Sequence, residues 1–218
     1  MRYVVPYTVV RERKIRERFI YILKQFKGKK AVININLKAK FKNGVKGLND
    51  YIVLVTVNPK VYQKSNLEII SLLVNEQKTP GVYVTLNKPF DVMIRLFKQN
   101  NIDTRLVIFI DGITQVGGGK KRVKNCLFIE SPEKLSDISV AMDQAVKTLP
   151  TKEKFIFFDS INTLQVFNKP GTVARFVYFL ASKIREWKIK GIIISVKKGS
   201  DEALINELVQ FCDLRIDL

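Results

Sequence analysis

The residues of this chain whose types and spacing best fit chemistry at a phosphate are the pair Lys64-Ser65 and the acid Asp159. Lys64 and Ser65 close the run Asn58-Pro59-Lys60-Val61-Tyr62-Gln63-Lys64-Ser65, which follows the apolar stretch Tyr51–Val57. A working phosphate loop reads G-x-x-x-x-G-K-[ST]: its glycines let consecutive N–H groups turn inward, its lysine neutralises phosphate oxygens and its hydroxyl reaches magnesium. The spacing, the lysine and the serine are present here, but Asn58 and Gln63 replace both glycines. Asn58 tolerates a left-handed backbone better than Gln63 does. Pro59 removes one N–H, and Val61 and Tyr62 add bulk. Asp159 ends the apolar run Phe155–Asp159, where a carboxylate can orient magnesium or its water shell. Leu106–Asp111 ends the same way, so the pattern occurs twice. Asp159 is the stronger candidate, because Asp159–Leu164 leads to a loop at Asn168–Thr172 and then a long helix. The candidate nucleotide site is therefore Lys64, Ser65 and Asp159, with Ser65 and Asp159 as magnesium ligands. The plainer alternatives are a solvated lysine beside a helix cap and an acid capping a turn.

Other chemistries are excluded by composition. The chain of 218 residues has no histidine, which removes imidazole zinc ligation, a Ser-His-Asp triad and a histidine base. Cys126 and Cys212 read as small buried hydrophobes.

The elements that must position these residues follow from periodicity. Near-continuous apolar runs at Tyr51–Val57, Gly81–Leu86, Leu106–Asp111, Phe155–Asp159, Gly191–Val196 and Leu214–Leu218 read as strands covered on both faces. Helical patterns lie between them, at Ser65–Asn75, Pro89–Gln99, Pro132–Leu149, Thr172–Lys188 and Asp201–Phe211. The expectation is an α/β domain with a mostly parallel central sheet between helices, and ligands beyond the carboxyl ends of its strands. Upstream, Arg2–Val10 reads as a strand, Glu12–Phe26 as a basic amphipathic helix, and the alternating Ala31–Phe41 as a strand turning at Asn43-Gly44. Asn43–Asn49 and Thr114–Lys124 read as loops. Residues 1–43 are expected to form a basic extension packed on a core domain of residues 44–218. No apolar run approaches the ~18 residues of a membrane span, and Met1–Val10 does not form a secretory leader. The expected location is cytoplasmic.

Charge suggests a partner. Residues 1–66 carry 16 lysines and arginines against the three acids Glu12, Glu17 and Asp50, so +13 of the net +18 falls there. Such asymmetry fits a polyanion such as nucleic acid or an anionic membrane face, set against the alternative of a Lys-rich, heat-adapted composition. Two basic loops strengthen the first reading: Gly117-Gly118-Gly119-Lys120-Lys121-Arg122-Val123-Lys124 and Lys197-Lys198-Gly199-Ser200. Lys124 in the first of these loops, and Arg13 and Lys14 on the amphipathic helix, are candidate phosphate contacts.

As a series, the run at 58–65, Gly81–Leu86, Val107–Gly112, Ser131-Pro132, Leu135–Asp137, Phe155–Leu164, Arg175–Leu180 and Cys212-Asp213 resembles the archaeal branch of RecA-like, KaiC-like ATPases over about four-fifths of the chain. The resemblance implies a three-layer RecA-like domain of the P-loop NTPase fold, with a degenerate Walker A motif and Asp159 in the Walker B position. It also implies DNA-facing loops beyond the strand ends, with Lys120, Lys121, Arg122, Lys197 and Lys198 as phosphate contacts. The family's catalytic glutamate follows the strand at Gly81–Leu86; here Asn87-Lys88 occupy that place, and loss of a general base costs a factor of ~10²–10⁴. The resulting expectation is a regulatory or nucleic-acid-binding protein with weak or no ATP/Mg binding and no rapid hydrolysis. The alternative is an ATP-binding switch in signalling or DNA repair, completed in trans within a homo-oligomer or by a partner ATPase subunit.

Overall fold

The computed structural model describes residues 37–117, 123–197 and 202–218. The expected strand Arg2–Val10 and helix Glu12–Phe26, with Arg13 and Lys14, lie outside the described residues, as do Lys120, Lys121, Arg122 and Lys198.

Seven strands form one sheet in the order β4-β3-β2-β5-β6-β1-β7: β1 (Tyr51–Val57), β2 (Gly81–Thr85), β3 (Val107–Asp111), β4 (Cys126–Phe128), β5 (Phe155–Asp159), β6 (Lys190–Val196) and β7 (Leu214–Asp217). Every pairing is parallel. Parallel neighbours need crossovers, and the helices supply them while covering both faces. The helices are α1 (37–44), α2 (Tyr62–Ser71), α3 (Phe90–Gln99), α4 (Leu135–Thr148), α5 (Ile161–Phe167), α6 (Pro170–Trp187) and α7 (Glu202–Val209). Helix α2 runs on into a π-helical turn, Leu72–Glu76. None of the described helices is long and apolar enough to cross a membrane.

Alternation of side chains across the sheet produces two cores. On one face Val82, Val84, Ile156 and Phe158 pack beneath α4, α5 and α6. On the other, Val53, Val55, Tyr83, Phe109, Phe155 and Phe157 pack beneath α1, α2 and α3. This second face positions the candidate site.

Three expectations need correction. The alternating stretch up to Phe41 is not a strand where it is described: residues 37–44 are helical. The same letters carry an i, i+4, i+8 pattern: Leu37, Phe41 and Val45 are buried, and Phe41 and Val45 join Ile216 of β7 in the core. Past the loop read at Thr114–Lys124, in residues that the periodicity assigns to no element, β4 is an extra edge strand, its three residues too few to show a period. The segment after Asp159 is helical from Ile161, and only Asn168 and Lys169 separate α5 from α6. Pro170 starts α6, where a missing N–H costs nothing.

The start of β2 depends on a close approach. A Cβ on Gly81 would lie 2.4 Å from the ring of Phe155, its register partner, which is fully buried. Gly81→Ala is expected to cost about 1–3 kcal/mol by overpacking, read as a lower midpoint of denaturant unfolding. An unchanged midpoint would show that the Phe155 ring has room to tilt.

Candidate functional site

The carboxyl ends of β3, β2 and β5 line up three polar residues. Thr85 is in register with Asp111 on one side and with Asp159 on the other. Both acids are buried, and a buried carboxylate must find donors. The two find them differently.

Asp111 serves the backbone. It accepts from the N–H groups of Phe90 (2.7 Å), Ile113 (2.7 Å) and Thr114 (2.9 Å), and from the Thr114 hydroxyl. It caps the start of α3 and shapes the turn after β3, which explains why two strands end in aspartate.

Asp159 is held by side chains. Tyr62, in the first turn of α2, donates its hydroxyl to Asp159 Oδ1. Tyr83, on β2, donates to Oδ2 at 2.6 Å. Asn87, just past β2, places its Nδ2 3.2 Å from Oδ1, 2.7 Å from the Tyr62 hydroxyl and 3.3 Å from Ser160 Oγ. Asn87 Oδ1 in turn accepts from the Thr163 hydroxyl on α5. The network therefore joins β2, β5, α2 and α5. Pleating accounts for Tyr83: Tyr83 is in register with Phe157, and its ring stacks on Phe157 at 5.0 Å. Asp159, two residues on from Phe157, faces the same side.

Electrostatics agree with this geometry. Burial raises the Asp159 pKa above the usual carboxylate value, while the Tyr62 and Tyr83 hydrogen bonds, the Lys88 charge and Asn87 pull it back. Burial, followed by the Asp159 charge, raises both tyrosines well above their ordinary value. Both phenols therefore stay protonated as donors at neutral pH.

The run at 58–65 is not an open loop. Asn58 Oδ1 accepts the Lys60 N–H at 3.0 Å, and the Asn58 carbonyl accepts the Val61 N–H at 3.0 Å. The turn thus fills its own concavity, and α2 begins at Tyr62, ahead of the pair of interest. The Ser65 N–H is spent on the Val61 carbonyl at 2.8 Å; Ser65 is fully buried, and its Oγ has no partner. Lys64 is exposed, 3.9 Å from Glu68 Oε1. No hydrogen bond or ion pair among the described residues joins Lys64 or Ser65 to Asp159. Lys124 is exposed beside β4, and Lys197 is exposed past β6, with its amine 3.9 Å from Asp217 Oδ1. Neither Cys126 nor Cys212 forms a disulfide, and burial pushes the Cys212 thiol up to about 12.

Neither a family model nor a curated protein sequence matches the chain. Solved structures do. A KaiC-like protein from the hyperthermophilic archaeon Pyrococcus horikoshii superposes with a TM-score of 0.55 at 16% identity, over 77% of this chain and 71% of that one. The chain has the KaiC-like, RecA-type fold. A second Pyrococcus horikoshii protein, solved in complex with an unknown peptide, superposes with a TM-score of 0.62 at 11% identity over 82% of each chain. In this chain Asn58–Ser65 follows β1, Asn87 follows β2 and Asp159 ends β5.

The sequence reading located the three segments but missed their mutual contact. In the sequence Tyr62 reads only as bulk in the 58–65 run, and Tyr83 only as part of a strand. A signal was present: a tyrosine in a fully buried strand needs an acceptor for its hydroxyl, and Asp159 ends the neighbouring apolar run.

Proposed function

We propose that this protein is a RecA-fold module that has left the ATP-hydrolysis cycle and acts as a nucleic-acid-binding or regulatory protein. The observation that carries this reading is the Asp159 carboxylate, with both oxygens taken by Tyr62, Tyr83 and Asn87. A Walker B acid works through a free oxygen turned to magnesium or its water. Here the Tyr62 ring comes from the phosphate-loop segment itself and takes that place. The remaining parts fit a magnesium nucleotide no better. Asn58 consumes the turn's N–H groups, Ser65 Oγ is sealed inside, and Asn87 is an amide without a proton-accepting carboxylate. Restoring the site means pulling Tyr62 off a buried carboxylate, at a cost of about 1.5–3 kcal/mol for a hydrogen bond to a charged group.

The nucleic-acid half rests on charge. The net +18 sits mostly on residues 1–66, Lys197 is exposed beyond the carboxyl end of β6, and Lys124 is exposed just before β4. A polyanion gains from each such contact by releasing condensed counterions.

The deciding experiment is steady-state ATP hydrolysis by the purified protein with and without magnesium, beside Asp159→Asn. The expected result is no magnesium-dependent turnover above buffer in either protein. Magnesium-dependent turnover that Asp159→Asn abolishes would overturn the reading.

A further inference from the structure

Outside the Asp159 network, between the first turn of α2 and the flank of α3, lies a cleft of about 790 Å³. Three lysines converge on it: Lys60 from the turn after β1, Lys64 from α2, and Lys88 from the segment after β2. Among the described residues Lys60 and Lys88 have no carboxylate partner in an ion pair, and the Lys88 amine stands 5.6 Å over the Tyr62 ring. The one acid on the wall, Glu68, lies 3.9 Å from Lys64, so the cleft keeps an excess of positive charge. The N–H groups of Tyr62, Gln63 and Lys64 open the ten-residue helix α2 at the same wall. They precede the first intrahelical acceptor and carry the positive end of the helix dipole.

A separate observation lies at the inner end. A narrow extension shares Tyr62, Gln63, Leu67, Lys88 and Leu96 with the main cleft and reaches Asn66. Asn66 is 4% exposed, and its Oδ1 has no hydrogen-bond partner. A buried acceptor without a donor costs about 1–3 kcal/mol. It points to a ligand that brings an N–H or O–H to that end, and the extension's volume of about 10 Å³ admits one water-sized group, a single hydroxyl or amine.

From these residues we propose that the α2–α3 cleft seats a phosphate of a nucleic-acid strand, with the attached sugar or base donating to Asn66. This rests on the nucleic-acid reading above and names its site. Three lysines and a helix N-terminus match a phosphate diester, and the volume lies within the ~300–1,000 Å³ range of ligand clefts. The chemistry recognised is a phosphate ester, which a free nucleotide also carries, so the test separates the two sources.

The test is fluorescence anisotropy with a labelled single-stranded oligonucleotide across a salt series. Unlabelled ATP without magnesium and inorganic phosphate serve as competitors. The proteins are wild type, Lys60→Ala/Lys64→Ala/Lys88→Ala, Gln63→Glu, and the control Lys147→Ala/Lys152→Ala at exposed lysines far from the cleft, each checked for an unchanged melting profile. Gln63→Glu places an anion in the cleft and leaves every lysine in position. With ~0.7 counterion released per phosphate contact on a single strand, the triple variant is expected to flatten the slope of log K against log salt by about 2. It should also weaken binding at least ~10-fold, with Gln63→Glu weakening it several-fold and the control changing less than either. Wild-type binding that the triple variant and Gln63→Glu leave intact would overturn the cleft while sparing the nucleic-acid reading. Cleft-dependent ATP binding without strand binding would overturn the strand as the source and the nucleic-acid reading with it. Binding of neither would overturn both.

Discussion

Tyr83→Ala is expected to destabilise the fold by about 3–5 kcal/mol, and Tyr83→Phe by about 2 kcal/mol. The two numbers separate the ring from the hydroxyl. The ring is almost fully buried and sits among Phe157 at 5.0 Å, Phe97 at 5.5 Å and Phe109 at 5.9 Å. Truncating a buried aromatic leaves a cavity that a parallel sheet cannot close, and such changes cost ~3–5 kcal/mol. The hydroxyl adds a charge-assisted bond to Asp159 at 2.6 Å. Removing one donor to a charged acceptor costs ~1.5–3 kcal/mol. Tyr62→Phe removes the other phenol, but Tyr62 lies nearer the surface, and Asn87 remains on the same carboxylate oxygen. It is therefore expected to cost less than Tyr83→Phe. Chemical denaturation of the variants side by side measures this order. If Tyr83→Phe unfolds at the wild-type midpoint, Asp159 does not need its second phenol and the network is not what holds α2 against β2 and β5.

The sheet was legible in the sequence because its strands are buried on both faces, and six apolar runs expose that directly. The alternating stretch up to Phe41 was not, because Leu37, Ala39 and Phe41 satisfy a period of two as well as a helix. Packing against Ile216 and the β7 edge decides between them. The site was half legible. Spacing found the segments at 58–65 and 155–159, the first of them without the two glycines of a phosphate loop. The character of the abnormality needed three dimensions: Tyr62 and Asp159 are 97 residues apart, and nothing local records that one phenol answers the other's need for a donor. The RecA-type frame brings the two together. The side chains then settle that Asp159 meets its donors within the chain, and that Lys64 faces an outer cleft away from it.

Asp159 itself supplies the other large effect, because here two opposing quantities can be weighed. Asp159→Ala removes the acceptor of two phenols and one amide. Asn87 and Tyr62 still pair with each other at 2.7 Å, but the deeply buried Tyr83 hydroxyl is left alone. The expected cost is about 3 kcal/mol, from the orphaned donor and the small cavity together. Asp159→Asn keeps a neutral acceptor of the same shape, and its expected behaviour depends on pH. Burial outweighs the hydrogen bonds in setting the Asp159 pKa, so the folded state holds the Asp159 proton more tightly than the unfolded chain does. Stability from this group is then fully present below the unfolded carboxylate value of about 3.9. It is lost as pH rises through the folded value, since the folded state binds the extra proton across that window. Asp103, held at about 2 by Arg105, and the lowered Asp217 act in the opposite sense. The informative quantity is therefore the difference between wild type and Asp159→Asn. That difference should move in favour of the asparagine variant as pH rises from 4 to 8, measured by urea unfolding at each pH. A difference moving the other way would mean that the phenols stabilise the carboxylate beyond the penalty of burial. Asp159 would then be an anion waiting for a cation, and the case for a retired magnesium site would weaken with it.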